Sequence, residues 1–306
     1  MKKTNKDFLK LEETYLNFIK KQETPGQYFY NKTRQLKKIF IPISKIIYKK
    51  FLYKKNGVFI VGLSGAQGTG KTTISSILKI VLKNKYNLNV ISFSIDDYYK
   101  TLKDRKIMSK NINKLFITRG VPGTHDVKLL LSHLKKLNKR NFREFSIPKF
   151  DKSIDDRLIK SKWKKIKKKP DIVIFEGWCV GVSAQKNKDL KYPINKLEKQ
   201  KDYKKIWREK VNLELKKNYR KIFNLIDKLI FLKVPSFKYV FKWRLLQEKK
   251  LRITSKGKKT MSDNQIKNFI MYYERLTKHM LNILPKTADT VISIDKQHKL
   301  RSIRFN

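Results

Sequence analysis

Cysteine, glycine and acidic residues are all scarce in this chain of 306 residues, and each scarcity closes off a reading. The single cysteine, Cys179, has no partner for an internal disulfide, so an apolar core must hold the fold, and 40% hydrophobic residues suffice for one. No uninterrupted apolar run approaches the roughly 20 residues that a membrane-spanning helix needs. Charges at Lys6, Asp7, Lys10, Glu12 and Glu13 also interrupt any apolar stretch of the signal-peptide kind. These absences point to a cytoplasmic protein. With 25 acidic residues against 75 basic ones, the formal charge is +50. Such a surplus ordinarily signals nucleic acid or an anionic membrane. Here 62 of the basic residues are lysine and 13 arginine, scattered over every segment of a chain also rich in Asn, Ile, Tyr and Phe. That is a compositional bias with solvated lysine faces, and the expected partner is a small-molecule substrate and not a nucleic acid. An RNA-associated NTPase is the alternative from another class.

The eleven glycines are not spread evenly. Four stand at 62, 65, 68 and 70, and four more at 120, 123, 177 and 181. The first group lies in "GLSGAQGTGKTTIS", where Gly65 to Thr72 fits G-x-x-x-x-G-K-[ST], the P-loop. Glycines admit backbone conformations closed to residues with a Cβ, so successive amides can turn inward around a polyphosphate. The next helix offers its positive end to the same anion. The loop Gly65, Ala66, Gln67, Gly68, Thr69, Gly70, Lys71, Thr72 and Thr73 is therefore the candidate ATP site. Lys71 reaches the β and γ phosphates, and the Thr72 hydroxyl is a ligand for Mg²⁺.

The setting agrees with the motif. "VFIVGL" from Val58 is a short β-branched run, and Ile74, Ile77, Leu78, Val81 and Leu82 after the loop follow a helical spacing. Further apolar runs at 89–95, 171–177, 228–234 and 289–294 alternate with helical patterns, among them 197–227, 237–252 and an amphipathic stretch from Asp263 to Leu284. The fold class is α/β, a P-loop NTPase kinase fold with a central mostly parallel sheet covered by helices on both faces. Residues 1–55 read as an N-terminal helical extension and 56–306 as the kinase domain with lid and acceptor-binding segments. In the extension, Phe8, Leu11, Tyr15, Phe18 and Ile19 mark a helix ended by Thr24-Pro25-Gly26. A second, very basic helical stretch runs from about residue 27 to 54, its amphipathic face interrupted at Pro42.

A P-loop says nucleotide, and the acids decide what is done with it. "SIDDYY" sets Asp96 and Asp97 at the carboxyl end of the second strand, the ligand edge of a parallel sheet. Asp96 there either holds Mg²⁺ or takes the proton of an attacking hydroxyl; the plain alternative is a helix N-cap. Glu176 ends "IVIFE" and is the acid expected to orient Mg²⁺. "TRGVPGTHD" gathers Arg119, His125 and Asp126, and "PKFDKSIDDR" gathers Asp151, Lys152, Asp155, Asp156 and Arg157. Rigid turns of mixed charge suit a small polar acceptor, with loop salt bridges as the competing explanation. Asp97, Arg119, His125, Asp151, Lys152 and Arg157 are the acceptor-binding candidates.

"SGAQGTGKTT", "SIDDYY", "RGVPGTHD", "FDKS" with "DDR", and "FEGWCVG", in this order and spacing, resemble the D-glycerate 3-kinase family and its close P-loop kinase relatives. The similarity runs over roughly residues 56 to 295, through "WRLLQEKKLR" and "MSDNQIKNFIMYYERLTKHM". Uridine kinases, phosphoribulokinases and bacterial pantothenate kinases look like more distant cousins. The resemblance implies ATP as donor, Mg²⁺, and a hydroxyl acceptor, D-glycerate first among them, with uridine or a pantothenate-like acceptor as alternatives. It also implies that Asp96 is base or metal-site acid, Glu176 the Mg²⁺-associated acid, Arg119 with the "GTHD" loop part of the acceptor wall, and Arg244 and Arg252 lid residues closing on the phosphates. Two departures stand out: Tyr98 where relatives often carry Phe, and a short segment after "FDKS".

Overall fold

The computed structural model describes residues 2–23, 28–254 and 260–306. The expected stop at Thr24-Pro25-Gly26 lies outside the described residues. Six strands form the main sheet: β1 (Phe59–Gly65), β2 (Val90–Ser94), β3 (Ile172–Gly177), β4 (Lys228–Lys233), β5 (Thr290–Ile294) and β6 (Leu300–Phe305), in the order β6-β5-β4-β1-β3-β2. All neighbours pair in parallel except β5 with β6, which form an antiparallel hairpin with a register shift between Leu300 and Ser302. The α/β architecture expected from the motif order is thus present. β6 was not foreseen, because "LRSIRF" alternates too weakly and carries two arginines. On an edge strand those charges are in place, since they discourage pairing with another chain.

The strands bury both faces, which is why they read as unbroken apolar runs. Phe59, Val61, Leu63, Ile172 and Ile174 face one core, while Ile60, Val173 and Phe175 face the other. On the first face the P-loop helix Lys71–Tyr86 contributes Ile74, Ile77, Leu78 and Val81. Leu11, Tyr15, Ile19, Leu36 and Ile47 from the N-terminal helices fill the same core. Those helices therefore pack onto the helix that follows the P-loop. Pro42 does not interrupt the second of them. A π-helical turn, Leu36–Phe40, runs without a break into Ile41–Tyr53, and the widened turn accommodates the proline and its missing N–H.

The expected helix over 197–227 is broken into Lys196–Lys201, Ile206–Glu214, a π turn Leu215–Tyr219 and Arg220–Phe223. The break is made by Asp202, whose buried carboxylate accepts from the amides of Trp207 and Arg208 and pairs with the Arg208 guanidinium at 3.0 Å. Asp263–Thr287 is one long helix opened by a capping box of Ser262 and Gln265. Among the described residues no helix is long and apolar enough to cross a membrane.

Candidate active site

Parallel pairing brings the informative loops to one sheet edge. In register, Glu176 of β3 lies opposite Leu63 of β1 on one side and Ser94 of β2 on the other. The end of β3 therefore sits between the P-loop and the Asp96 segment, with Glu176 104 residues from Thr72 and 80 from Asp96 along the chain.

In the loop, Gly68 and Gly70 have φ of 77° and 82°, a left-handed backbone that makes glycine the residue of choice there. Gly68 has a second reason to lack a side chain. A Cβ would come within 3.1 Å of the Trp243 Cβ, so the helix Phe237–Thr254 packs its base directly on the loop. Thr69 Oγ1 and Lys71 Nζ both donate to the Ala66 carbonyl, at 2.8 and 3.0 Å. Thr72 Oγ1 donates to Glu176 Oε1 at 3.1 Å. Burial pushes the Glu176 carboxyl above its usual range, opposed by the Lys71 ammonium, and burial lowers the Lys71 pKa, opposed by Glu176 and Asp96. These charges are thus close enough to tune one another.

The second loop separates two adjacent aspartates into different tasks. Ser94 caps the 3₁₀ turn Ile95–Tyr98, and Asp97 completes the capping box by accepting from the Ser94 amide at 3.2 Å. Asp96 is left to face the site. Its Oδ1 accepts from the Tyr99 hydroxyl and its Oδ2 from Lys152 Nζ, both at 2.8 Å. Burial alone would raise the Asp96 pKa, but the Lys152 charge, aided by its hydrogen bond and that of Tyr99, holds the carboxyl well below the usual carboxylate range.

The acceptor-binding candidates divide in the same way. Arg157 donates to the Tyr99 carbonyl and pairs with Asp126, and Asp151 Oδ1 accepts from the amide and hydroxyl of Ser153. With Asp97, these residues hold the loops' own shape. Lys152, Arg119 and His125 stay around Asp96. Arg119 pairs with Asp155 and lies over the Phe150 ring at 5.4 Å. Its carbonyl accepts from the Tyr273 hydroxyl at 3.0 Å, and the next residue, Gly120 (φ 133°), leaves room for that phenol, which a Cβ would meet at 2.0 Å. His125 is buried, stacked on Tyr99 at 4.6 Å, with Nδ1 2.5 Å from the Tyr219 hydroxyl.

The two lid candidates differ. Arg244 lies within its helix where the backbone passes Gly68, paired with buried Glu248 at 2.6 Å, while its Nη1 is buried with no hydrogen-bond partner among the described residues. Arg252 is more exposed and ties to Met261 O and Asp263, at the start of the next helix.

Several residues here carried no sequence signal. Arg105 is fully buried and donates to the carbonyls of Lys100, Ile117 and Asp155 as well as to the Asp155 carboxylate, pinning the hairpin that bears Lys152. Tyr219, Tyr273 and His298 are the others. His298, in the β5–β6 turn with φ 65°, stacks on Trp243 at 4.3 Å and is hydrogen-bonded at Gly68. Gly120 of "TRGVPGTHD" is the one sequence mark of Tyr273's close approach.

Burial lowers the pKa of His125 and of His133 from 6.5 to about 4 in each case. Between those values the unfolded chain binds more protons, so stability falls as pH drops from about 6.5 towards 4. Urea midpoints over that range should fall, and His133→Gln should flatten the slope.

The oxygen set of Thr72, Glu176 and Asp96 suits Mg²⁺, which binds few protein ligands and keeps water and phosphate oxygens for the rest. Among the described residues no group of three or more His, Cys, Asp or Glu is placed to hold a metal ion.

No family model matches the chain. It is 38% identical over 245 residues to the uncharacterized kinase mug58 of Schizosaccharomyces pombe, covering 76% of this chain and 85% of that one. It is 28% identical over 261 residues to the chloroplastic D-glycerate 3-kinase of Arabidopsis thaliana, covering 81% of this chain and 54% of that protein's length. Among solved structures, a D-glycerate 3-kinase from Cryptococcus neoformans superposes with a TM-score of 0.70 over 87% of this chain and 98% of its own, at 23% identity, and so shares the fold. The chain belongs to the P-loop kinase family that takes in mug58 and the D-glycerate 3-kinases, and it is an ATP-dependent phosphotransferase.

Proposed function

We propose that the chain phosphorylates D-glycerate, giving 3-phosphoglycerate and ADP. The observation that carries this reading is the pairing of Asp96 with Lys152 beside the P-loop: a carboxylate next to a cation that an acidic acceptor would attract. The name of the Arabidopsis relative supports the same acceptor. In this reading the loop amides and Lys71 hold the polyphosphate, and Thr72 and Glu176, with Asp96 nearby, hold Mg²⁺. When bound, Mg²⁺ screens the negative charge on the phosphate oxygens. Asp96 takes the proton of the acceptor hydroxyl as its oxygen bonds to the γ phosphorus, and the bond to the bridging oxygen breaks to release ADP. Lys71 and Arg244 stabilise the charge on the transferring group, which positioning and electrostatics suffice to move.

The side chain of Lys152 is 62% exposed, so its ammonium is free to swing between Asp96 and an acceptor carboxylate. Lys152→Met should raise KM for D-glycerate by about 10-fold to 100-fold, the range of a lost charged hydrogen bond, and leave KM for glycerol unchanged. It should also shift the acid limb of kcat/KM to higher pH, since the cation that depresses Asp96 is gone. Unchanged discrimination between glycerate and glycerol would count against Lys152.

The direct test incubates the protein with MgATP and D-glycerate, glycerol, uridine or pantothenate, following ADP and weighing the product by mass spectrometry. A monophosphate from D-glycerate alone is the expected result. ATP hydrolysis stimulated by RNA, with no acceptor phosphorylated, would replace the reading.

A further inference from the structure

Tyr219 and His125 stand 94 residues apart in the chain and meet behind the acceptor candidates. Tyr219 ends the π turn Leu215–Tyr219, a local widening of the helix that often marks functional sites. Its phenol is fully buried, and its oxygen accepts from the Gly123 amide at 3.0 Å. An amide N–H only donates, so it cannot take the phenol's hydrogen. The hydroxyl hydrogen then goes to the remaining partner, His125 Nδ1 at 2.5 Å. An imidazole nitrogen that accepts carries no proton, so the ring proton sits on Nε2. That atom is buried and has no hydrogen-bond partner among the described residues. The ring lies against Tyr99, at 4.6 Å and 23° from parallel, and the Tyr99 hydroxyl donates to Asp96. A buried donor without a partner, one ring away from Asp96, calls for an acceptor atom supplied from outside the chain.

We propose that His125 is held as its Nε2–H tautomer by Tyr219 and donates that hydrogen to an oxygen of the bound hydroxy acid other than the one attacked. The assignment rests on the acceptor reading above. His125 is then a substrate-binding residue and Tyr219 a positioning residue, which acts only by keeping the proton on the far nitrogen. The Gly123 amide sets the polarity of the whole relay, and Gly123 itself, at φ 102°, adopts a backbone suited to glycine.

The test is ¹⁵N NMR of the histidine side chains in the full-length protein, with the His125 signals assigned from His125→Gln. Nδ1 should be unprotonated and Nε2 protonated, and D-glycerate added with ADP should move Nε2 more than Nδ1. In turnover, Tyr219→Phe should raise KM for D-glycerate about tenfold while kcat and KM for ATP stay within about threefold, a split that general loosening of the fold would not produce. His125→Gln, which restores a side-chain N–H, should bind D-glycerate more tightly than His125→Leu. A proton on Nδ1, or an Nε2 signal indifferent to the acceptor, overturns the assignment whether or not the variants fold. If the wild type phosphorylates uridine or pantothenate and not D-glycerate, the glycerate reading falls alone. The same titration with the true acceptor then decides His125: a shifted Nε2 supports the relay and an unmoved one ends it.

Discussion

Asp96→Asn is expected to lower kcat by about 10²–10⁴-fold while ATP binding stays within about twofold. The substitution is nearly isosteric, and the amide oxygen can still accept from Tyr99 or Lys152, so the local hydrogen bonds partly survive. What is lost is a carboxylate able to take a proton. The environment makes this loss specific. Lys152 and Tyr99 keep Asp96 ionised despite its burial, so a base is present at neutral pH without any need to shed a proton first. The capping duty that could have explained an aspartate at this position belongs to Asp97 and Ser94. Nucleotide affinity should be read by calorimetry and turnover by acceptor-dependent ADP release on protein of unchanged Tm. Turnover within tenfold of wild type would remove Asp96 from the role of base.

Arg105→Met should cost on the order of 3 kcal/mol of stability, because three carbonyls lose a buried donor and the ion pair with the partly exposed Asp155 is broken. For a chain of this size that is a fall in Tm on the order of 5–10 °C. The functional effect should fall on one substrate only. Arg105 clamps Asp155 at the turn of the hairpin that presents Lys152, and Asp155 in turn pairs with Arg119. KM for the acceptor should therefore rise while KM for ATP holds, since the P-loop rests on β1 and its helix and not on this hairpin. Arg105→Lys should rescue little. One ammonium on a flexible stem cannot reach three carbonyls in the plane that the guanidinium spans. Equal changes in both KM values would show that Arg105 matters to the whole fold and not to the acceptor side.

The legible and the hidden parts of the site differ in how far apart their residues lie along the chain. Gly65 to Thr73 act through backbone conformation and a helix end, both local properties, and the apolar runs around them locate the strands by the same logic. The carboxyl-end rule of parallel sheets puts Asp96 and Glu176 near the loop from the sequence alone. β6 escaped notice because an edge strand that largely faces water reads like a loop. The sequence singled out Asp96 and assigned Asp97 an acceptor-binding role, and only the folded turn shows the Asp97 carboxylate engaged in the cap with Ser94.

By itself, then, the sequence determined the P-loop, the parallel α/β order and the pool of charged residues, because periodicity, glycine conformation and strand ends are short-range physics. Only the tertiary structure decided which charges remain for a substrate. Lys152 meets Asp96 across 56 residues, Glu176 meets Thr72 across 104 and Arg157 is drawn off to Asp126 and Tyr99. Hydrogen bonds and ion pairs act over about 3 Å of space and are blind to separation along the chain, so partners are assigned only when packing has brought the loops together.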